Sequence, residues 1–239
     1  MDKDKRELGQ HISRQYDQDL EDLRSRVLSM GGLVEQQLAD AISAVVGNDT
    51  RLARQVVDRD YQVNALEVAL DEQCSHILAR RQPAAGDLRL IIAVIKTITD
   101  LERIGDQAER VARNAIELSE MERPRDKLVV RHMGELARKL LHDSLDAFAR
   151  MDVDLAHEVT KRDLEIDREY EAFVRQLITY MMEDPRSIRW TLAFLWSARA
   201  LERIGDHSKN ICEYLIYMAL GKDIRHTDPQ QRAQELKGD

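Results

Sequence analysis

Proline, glycine, cysteine and aromatic residues are all scarce in this chain. Of 239 residues, four are proline, ten are glycine and two are cysteine, and 5% are aromatic. Cys74 and Cys212 stand alone inside helical patterns and fit no metal or redox spacing, so buried, inert thiols in a reducing cytosol are expected. An excess of positive charge is missing too: 36 basic residues face 44 acidic ones, a formal charge of −8. That argues against a nucleic-acid binder, which normally shows a basic surface, though not against docking on a basic partner. The longest purely aliphatic run, LIIAVI at 90–95, is far short of the roughly 20 residues that cross a bilayer. The N-terminal MDKDKRELGQ is charged and has no apolar stretch of the secretory kind. Phosphate-binding glycine loops, dinucleotide fingerprints and the G-x-S-x-G nucleophile motif are absent, and no histidine spacing suggests a phosphorelay.

Ala, Leu, Arg, Glu and Asp dominate what is there, a composition for helices. The breaks are VVGNDT (45–50), RRQPAAGD (80–87), MERPRD (121–126), ARMDVD (149–154), MEDPRS (182–187) and LGKDIRHTDP (220–229). They hold all four prolines, where a missing N–H does least harm, and the candidate caps Asp49, Thr50, Asp87, Asp152 and Asp154. Six helical stretches follow: 8–46, 50–80, 87–120, 126–149, 153–182 and 187–220. In the third, Leu101, Ile104, Ala108, Val111, Ala115 and Leu118 step by three and four and form a seam. Leu201, Ile204, Ser208, Ile211, Leu215 and Met218 repeat that register in the sixth.

The hexapeptide LERIGD occurs at 101–106 and again at 201–206. Met30-Gly31 and Leu33 recur as Met133-Gly134 and Leu136, Asp60 as Asp163, Val63 as Ile166 and Leu70 as Phe173. The chain therefore reads as two copies of one three-helix unit, the first over 1–121 and the second over 122–221, with a polar tail at 222–239.

Residues four apart share a helix face, which pairs Glu102 with Asp106, Glu202 with Asp206 and Asp163 with Asp167. The fourth pair is Asp60 with Asn64. If the second and third helices of each copy run antiparallel, these acidic pairs face each other. Carboxylates gathered in one patch repel unless protonated, paired with Arg or neutralised by a metal. Hard ions such as Mg²⁺, Mn²⁺, Ca²⁺ or ferric iron suit such donors. Solvated or salt-bridged acidic faces are the plainer alternative. No Glu stands three residues before any histidine, which counts against a di-iron oxidase. His207 is expected to be solvated or capping rather than a ligand. Gly105 and Gly205 each cost a helix about 1 kcal/mol against Ala, which suggests that something comes close there.

DLERIGDQAERVARN (100–114) and ALERIGDHSKNICEY (200–214) resemble the signature segments of the PhoU family. So do SMGGLVEQQLADAI (29–42), DRDYQVNALE (58–67), RQPAAGDLRLI (81–91) and RDLEIDREYE (162–171). The resemblance runs from about residue 20 to 220 and implies an elongated all-α protein of two tandem antiparallel three-helix bundles, often a homodimer. It implies a cytoplasmic, non-enzymatic negative regulator of phosphate uptake and phosphate-starvation signalling. The implied partners are the ATPase subunit of the phosphate transporter and its sensor histidine kinase, without nucleic acid or membrane insertion. It also implies metal sites (Mg, Mn, Fe or Zn) at Asp163, Asp167, Glu202 and Asp206 and at Asp60, Glu102 and Asp106. Asn64, where the family has Asp, makes the C-terminal site the stronger of the two.

A carboxylate-bridged metalloenzyme and a purely structural helical scaffold are the competing readings. For partner contact, Trp190, Trp196 and Tyr214 are the candidate anchors, and each fits a core position at least as well.

Overall fold

The computed structural model describes residues 14–81, 83–121 and 127–221. The helix start expected at 8–13, the Pro124 turn and the polar tail at 222–239 lie outside the described residues. Seven α-helices fill the described residues, with no strand: α1 (Arg14–Gly47), α2 (Thr50–Arg59), α3 (Tyr61–Arg81), α4 (Ala85–Ser119), α5 (Lys127–Arg150), α6 (Val153–Glu183) and α7 (Ile188–Leu220). A 3₁₀ turn at Pro185–Ser187 leads into α7.

The helix ends follow local chemistry. Asp49 and Asp152 cap α2 and α6, each carboxylate accepting a backbone N–H three residues on, at 2.9 Å. Asp87 does not cap α4. The helix starts earlier, at Ala85, and the buried Asp87 carboxylate accepts the Tyr16 hydroxyl instead. The chain leaves α1 and α5 through left-handed residues at matching places, Asn48 (φ 57°) and Met151 (φ 56°). The single helix expected over 50–80 is divided, because Asp60 interrupts the ladder between α2 and α3. In the second copy, α6 runs unbroken through Asp163.

α1, α2–α3 and α4 form one antiparallel bundle, and α5, α6 and α7 form the other. The two lie side by side: α4 packs along α7 in the broadest contact of the molecule, and α1 packs on α5. One apolar core runs through both bundles, and every seam residue named above in α4 and α7 is buried in it or, for Ser208, beside it. Ser208 is accommodated by donating its hydroxyl to the Ile204 carbonyl at 2.7 Å. Cys74 and Cys212 are buried, and burial pushes the Cys74 thiol up to about 12.

The α1–α5 crossing explains the repeated Met-Gly. A Cβ on Gly31 would lie 2.6 Å from a Leu145 methyl, and one on Gly134 would lie 2.9 Å from Ile42. Ile42 and Leu145 occupy corresponding places in the two copies, so each helix offers a glycine notch to the other's aliphatic side chain. This is a near-two-fold joint that requires a missing side chain on both sides.

Two neighbouring glycines therefore have opposite expected behaviour. Gly32→Ala, where a Cβ meets nothing within 4 Å, should stabilise by about 0.5–1 kcal/mol through helix propensity. Gly31→Leu should destabilise by about 1–3 kcal/mol through overpacking at the joint. Urea unfolding midpoints of the two variants measure the difference.

Candidate metal centre

The repeated hexapeptide lies midway along α4 and α7, facing the helices that precede them. Gly205 lets α6 approach α7: a Cβ there would lie 2.9 Å from Ile166 and 3.2 Å from the Asp163 carboxylate. Gly105 plays the same part beside Val63, Gln37 and Asp60, at 3.3 to 3.6 Å. What comes close to each glycine is thus the acidic residue of the facing helix and its aliphatic neighbour.

In the C-terminal bundle, Asp163 and Asp167 of α6 and Asp206 of α7 each offer an oxygen within 4.8 Å of the others. Asp163 is 1% exposed. Its Oδ2 accepts Lys209 Nζ at 2.8 Å, while its buried Oδ1 has no hydrogen-bond partner among the described residues. Glu202 belongs to the same pocket but turns aside, with Oε1 on Arg199 Nη1 at 2.5 Å and Oε2 buried and unpartnered. Burial and then Asp206 lift the Glu202 carboxyl to about 7, against the pull of Arg199. Asp167 and Asp206 are also raised, by burial first and then by Asp163. Four carboxylates thus share two bonded cations, Lys209 and Arg199.

The N-terminal bundle solves the same problem with amides. Asp60 Oδ1 accepts Gln37 Nε2 at 2.8 Å, and its Oδ2 accepts Asn64 Nδ2 at 3.4 Å. Both oxygens are satisfied without a cation. Glu102 and Asp106 stand opposite on α4, each raised by burial first, Glu102 also by Asp106 and Asp106 also by Asp60. Asp60, Glu102 and Asp106 do not gather as Asp163, Asp167 and Asp206 do, and no second such cluster occurs among the described residues.

Gln37, Lys209 and Arg199 carry no signal in the hexapeptide or the E/D-x-x-x-D spacing. The repeat itself holds the missing signal: Gln37 corresponds to Leu140 and Lys209 to Glu109, so the two copies differ where the pockets differ. His207 is neither solvated nor capping. Its Nδ1 lies 2.6 Å from Asp100 Oδ1, joining α7 to α4 across the bundle interface. Trp190 packs on Tyr180 and Phe194, with ring centroids 5.9 and 6.0 Å away, and Tyr214 packs on the core. Trp196 departs from a core role, being 61% exposed.

The model of the PhoU domain family matches this chain twice, over residues 27–115 and 130–215. The chain is 52% identical to the Phosphate-specific transport system accessory protein PhoU homolog of Pseudomonas aeruginosa, over 96% of each chain. It is 47% identical to the Phosphate-specific transport system accessory protein PhoU of Escherichia coli K12, over 97% of this chain and 96% of that one. The crystal structure of PhoU from Pseudomonas aeruginosa superposes with a TM-score of 0.85 at 53% identity, covering 87% of this chain and all of that one. The phosphate transport system regulatory protein PhoU from Streptococcus pneumoniae does so with a TM-score of 0.81 at 30% identity, covering 87% of this chain and 98% of that one. Two copies of one bundle, each with its acidic pocket at the repeated hexapeptide and each matched by the family's domain, make this chain a member of the PhoU family.

Proposed function

We propose that the chain is an accessory regulator of a phosphate transport system, acting in the cytoplasm as a negative regulator of uptake and of phosphate-starvation signalling. The observation that supports this reading is identity near one half over almost the whole length of proteins named as accessory proteins of a phosphate-specific transport system. No helix among the described residues is long and apolar enough to cross a membrane. The ATPase subunit and the sensor histidine kinase are the partners proposed, with a homodimer as the working form. The chain works by binding rather than by catalysis.

The C-terminal pocket is, in this reading, a cation site. Asp163, Asp167 and Asp206 supply the oxygens, with Glu202 in reserve on Arg199, and a cation there would offset their mutual repulsion. The buried, unpartnered Asp163 Oδ1 is the observation that favours it, since an orphaned buried carboxylate oxygen costs on the order of 1–3 kcal/mol or more. All-oxygen donors suit hard ions such as Mg²⁺, Mn²⁺ or ferric iron, and the softer zinc is accommodated less well. A bound ion would fasten α6 to α7 and fix the face the bundle presents.

Loss of the protein should switch on phosphate-starvation genes in phosphate-rich medium. A reporter that stays silent contradicts the regulatory reading. For the pocket, Mn²⁺ titration with a thermal-shift readout should raise the melting temperature of the protein and leave an Asp167→Asn/Asp206→Asn variant unmoved. Asn64→Asp should add a second, N-terminal ion by elemental analysis, because it replaces a neutral donor on Asp60 with a carboxylate.

The metal-free protein should also lose stability as pH rises. Glu202 holds its proton to about pH 7 when folded, against 4.5 for the ordinary group. The folded state thus binds more protons across that window, and the stability from this group is full below 4.5 and gone above 7. Melting temperatures of the metal-free protein should fall between those pH values, and Glu202→Gln should flatten the slope. A flat profile in the unsubstituted protein is the contrary result.

A further inference from the structure

The α4–α7 interface has two ends related by the repeat, and they are finished differently. At one end Asp100 of α4 accepts from Asn210 at 3.3 Å and meets His207 at 2.6 Å, and Lys96 lies over the rings of Tyr214 and Tyr217. That end is closed by these contacts. At the other end the counterpart of Asp100 is Ala200, of Lys96 is Trp196, of His207 is Gln107 and of Asn210 is Arg110. Ala200 leaves a cleft of about 370 Å³ there, lined by Arg110, Arg113, Arg199, Arg203, Gln107 and Trp196, with Asn114 completing its wall.

No carboxylate lines this cleft. Arg113 is held by Glu109 and Arg199 by Glu202. Arg110 and Arg203 make no side-chain hydrogen bond or ion pair among the described residues, and they feel Asp106 and Glu202 only at a distance. Two unpaired guanidinium groups on facing helices, in a chain of formal charge −8, stand against the general trend of its surface. Trp196, 61% exposed, forms an aromatic wall beside them.

We propose that this cleft binds a phosphoryl dianion, either inorganic phosphate or the phosphate of a nucleotide whose base lies on Trp196. The planar guanidinium fork matches phosphate oxygens in pairs, and the two free positive charges equal the charge of one phosphoryl group. The cleft volume is at the small end of ligand pockets, which suits a phosphate or a short ester. The cleft shares Arg199 with the acidic pocket but is lined by different residues otherwise, and its binding does not depend on the regulatory role proposed above.

Trp196 supplies its own reporter. In full-length protein carrying Trp190→Phe, inorganic phosphate and ATP are titrated separately while Trp196 emission is followed, with calorimetry on the unsubstituted chain. Saturable binding is expected, weakened roughly tenfold or more in Arg110→Gln/Arg203→Gln. Both residues are exposed, and Arg199 is avoided because it also holds Glu202. ATP binding more tightly than phosphate, with the difference lost in Trp196→Ala, identifies the ester. Equal affinities that survive Trp196→Ala identify free phosphate. Absence of saturable binding, or binding unchanged in the double Arg variant, overturns the proposal. So does an Asp/Glu-rich peptide that binds the cleft more tightly than either phosphate compound, which would make it a protein-docking surface.

Discussion

A carboxylate buried between two helices sets the terms for the C-terminal bundle. Asp163 is 1% exposed and sits where α6 comes nearest α7, an approach that only a glycine at 205 allows. Such a group demands compensation, since an ionised carboxylate without partners is strongly disfavoured away from water. Lys209 answers one oxygen and nothing among the described residues answers the other. Asp167, Asp206 and Glu202 then stand around it with raised proton affinities. The pocket is therefore strained electrostatically, and protonation or a cation relieves it.

The N-terminal bundle shows that the fold itself does not require an unpartnered oxygen at this place. A glycine again lets the acidic helix come close, but Gln37 and Asn64 donate to both oxygens of Asp60. The two copies thus hold one pocket closed by amides and one open to a positive ion. The break between α2 and α3 falls at Asp60 itself, whereas α6 passes Asp163 without interruption. The same divergence marks the joint between the bundles. The glycine notches of α1 and α5 have kept their near-two-fold symmetry, while the ends of the α4–α7 contact have not.

Much of this was legible in the residues. The three-and-four stepping from Leu101 to Leu118 and from Leu201 to Met218 is the buried seam of the structure, because period alone fixes which face of a helix is apolar. The LERIGD repeat located both pockets, and spacing by four placed their carboxylates on common faces. Trp196 was legible in principle: carrying the α7 seam back from Leu201 to Phe194 leaves it on the outer side. What period cannot convey is the partner across a helix interface. Asp100 meeting His207, Gln37 reaching Asp60 and Lys209 reaching Asp163 all depend on the phase and offset between helices far apart in sequence. The interruption at Asp60 was hidden for another reason, since Arg59, Asp60 and Tyr61 contain no proline or glycine to announce it.

The claim that most of this account leans on is that the two pockets now differ in their demand for a cation. Crystals of the metal-free protein soaked in Mn²⁺, with anomalous scattering recorded at the manganese edge, test it directly. A peak bounded by Asp163, Asp167 and Asp206 is expected, clearly stronger than any signal beside Asp60, Glu102 and Asp106. Equal peaks in both bundles, a peak in the N-terminal bundle alone, or no peak in either would contradict it.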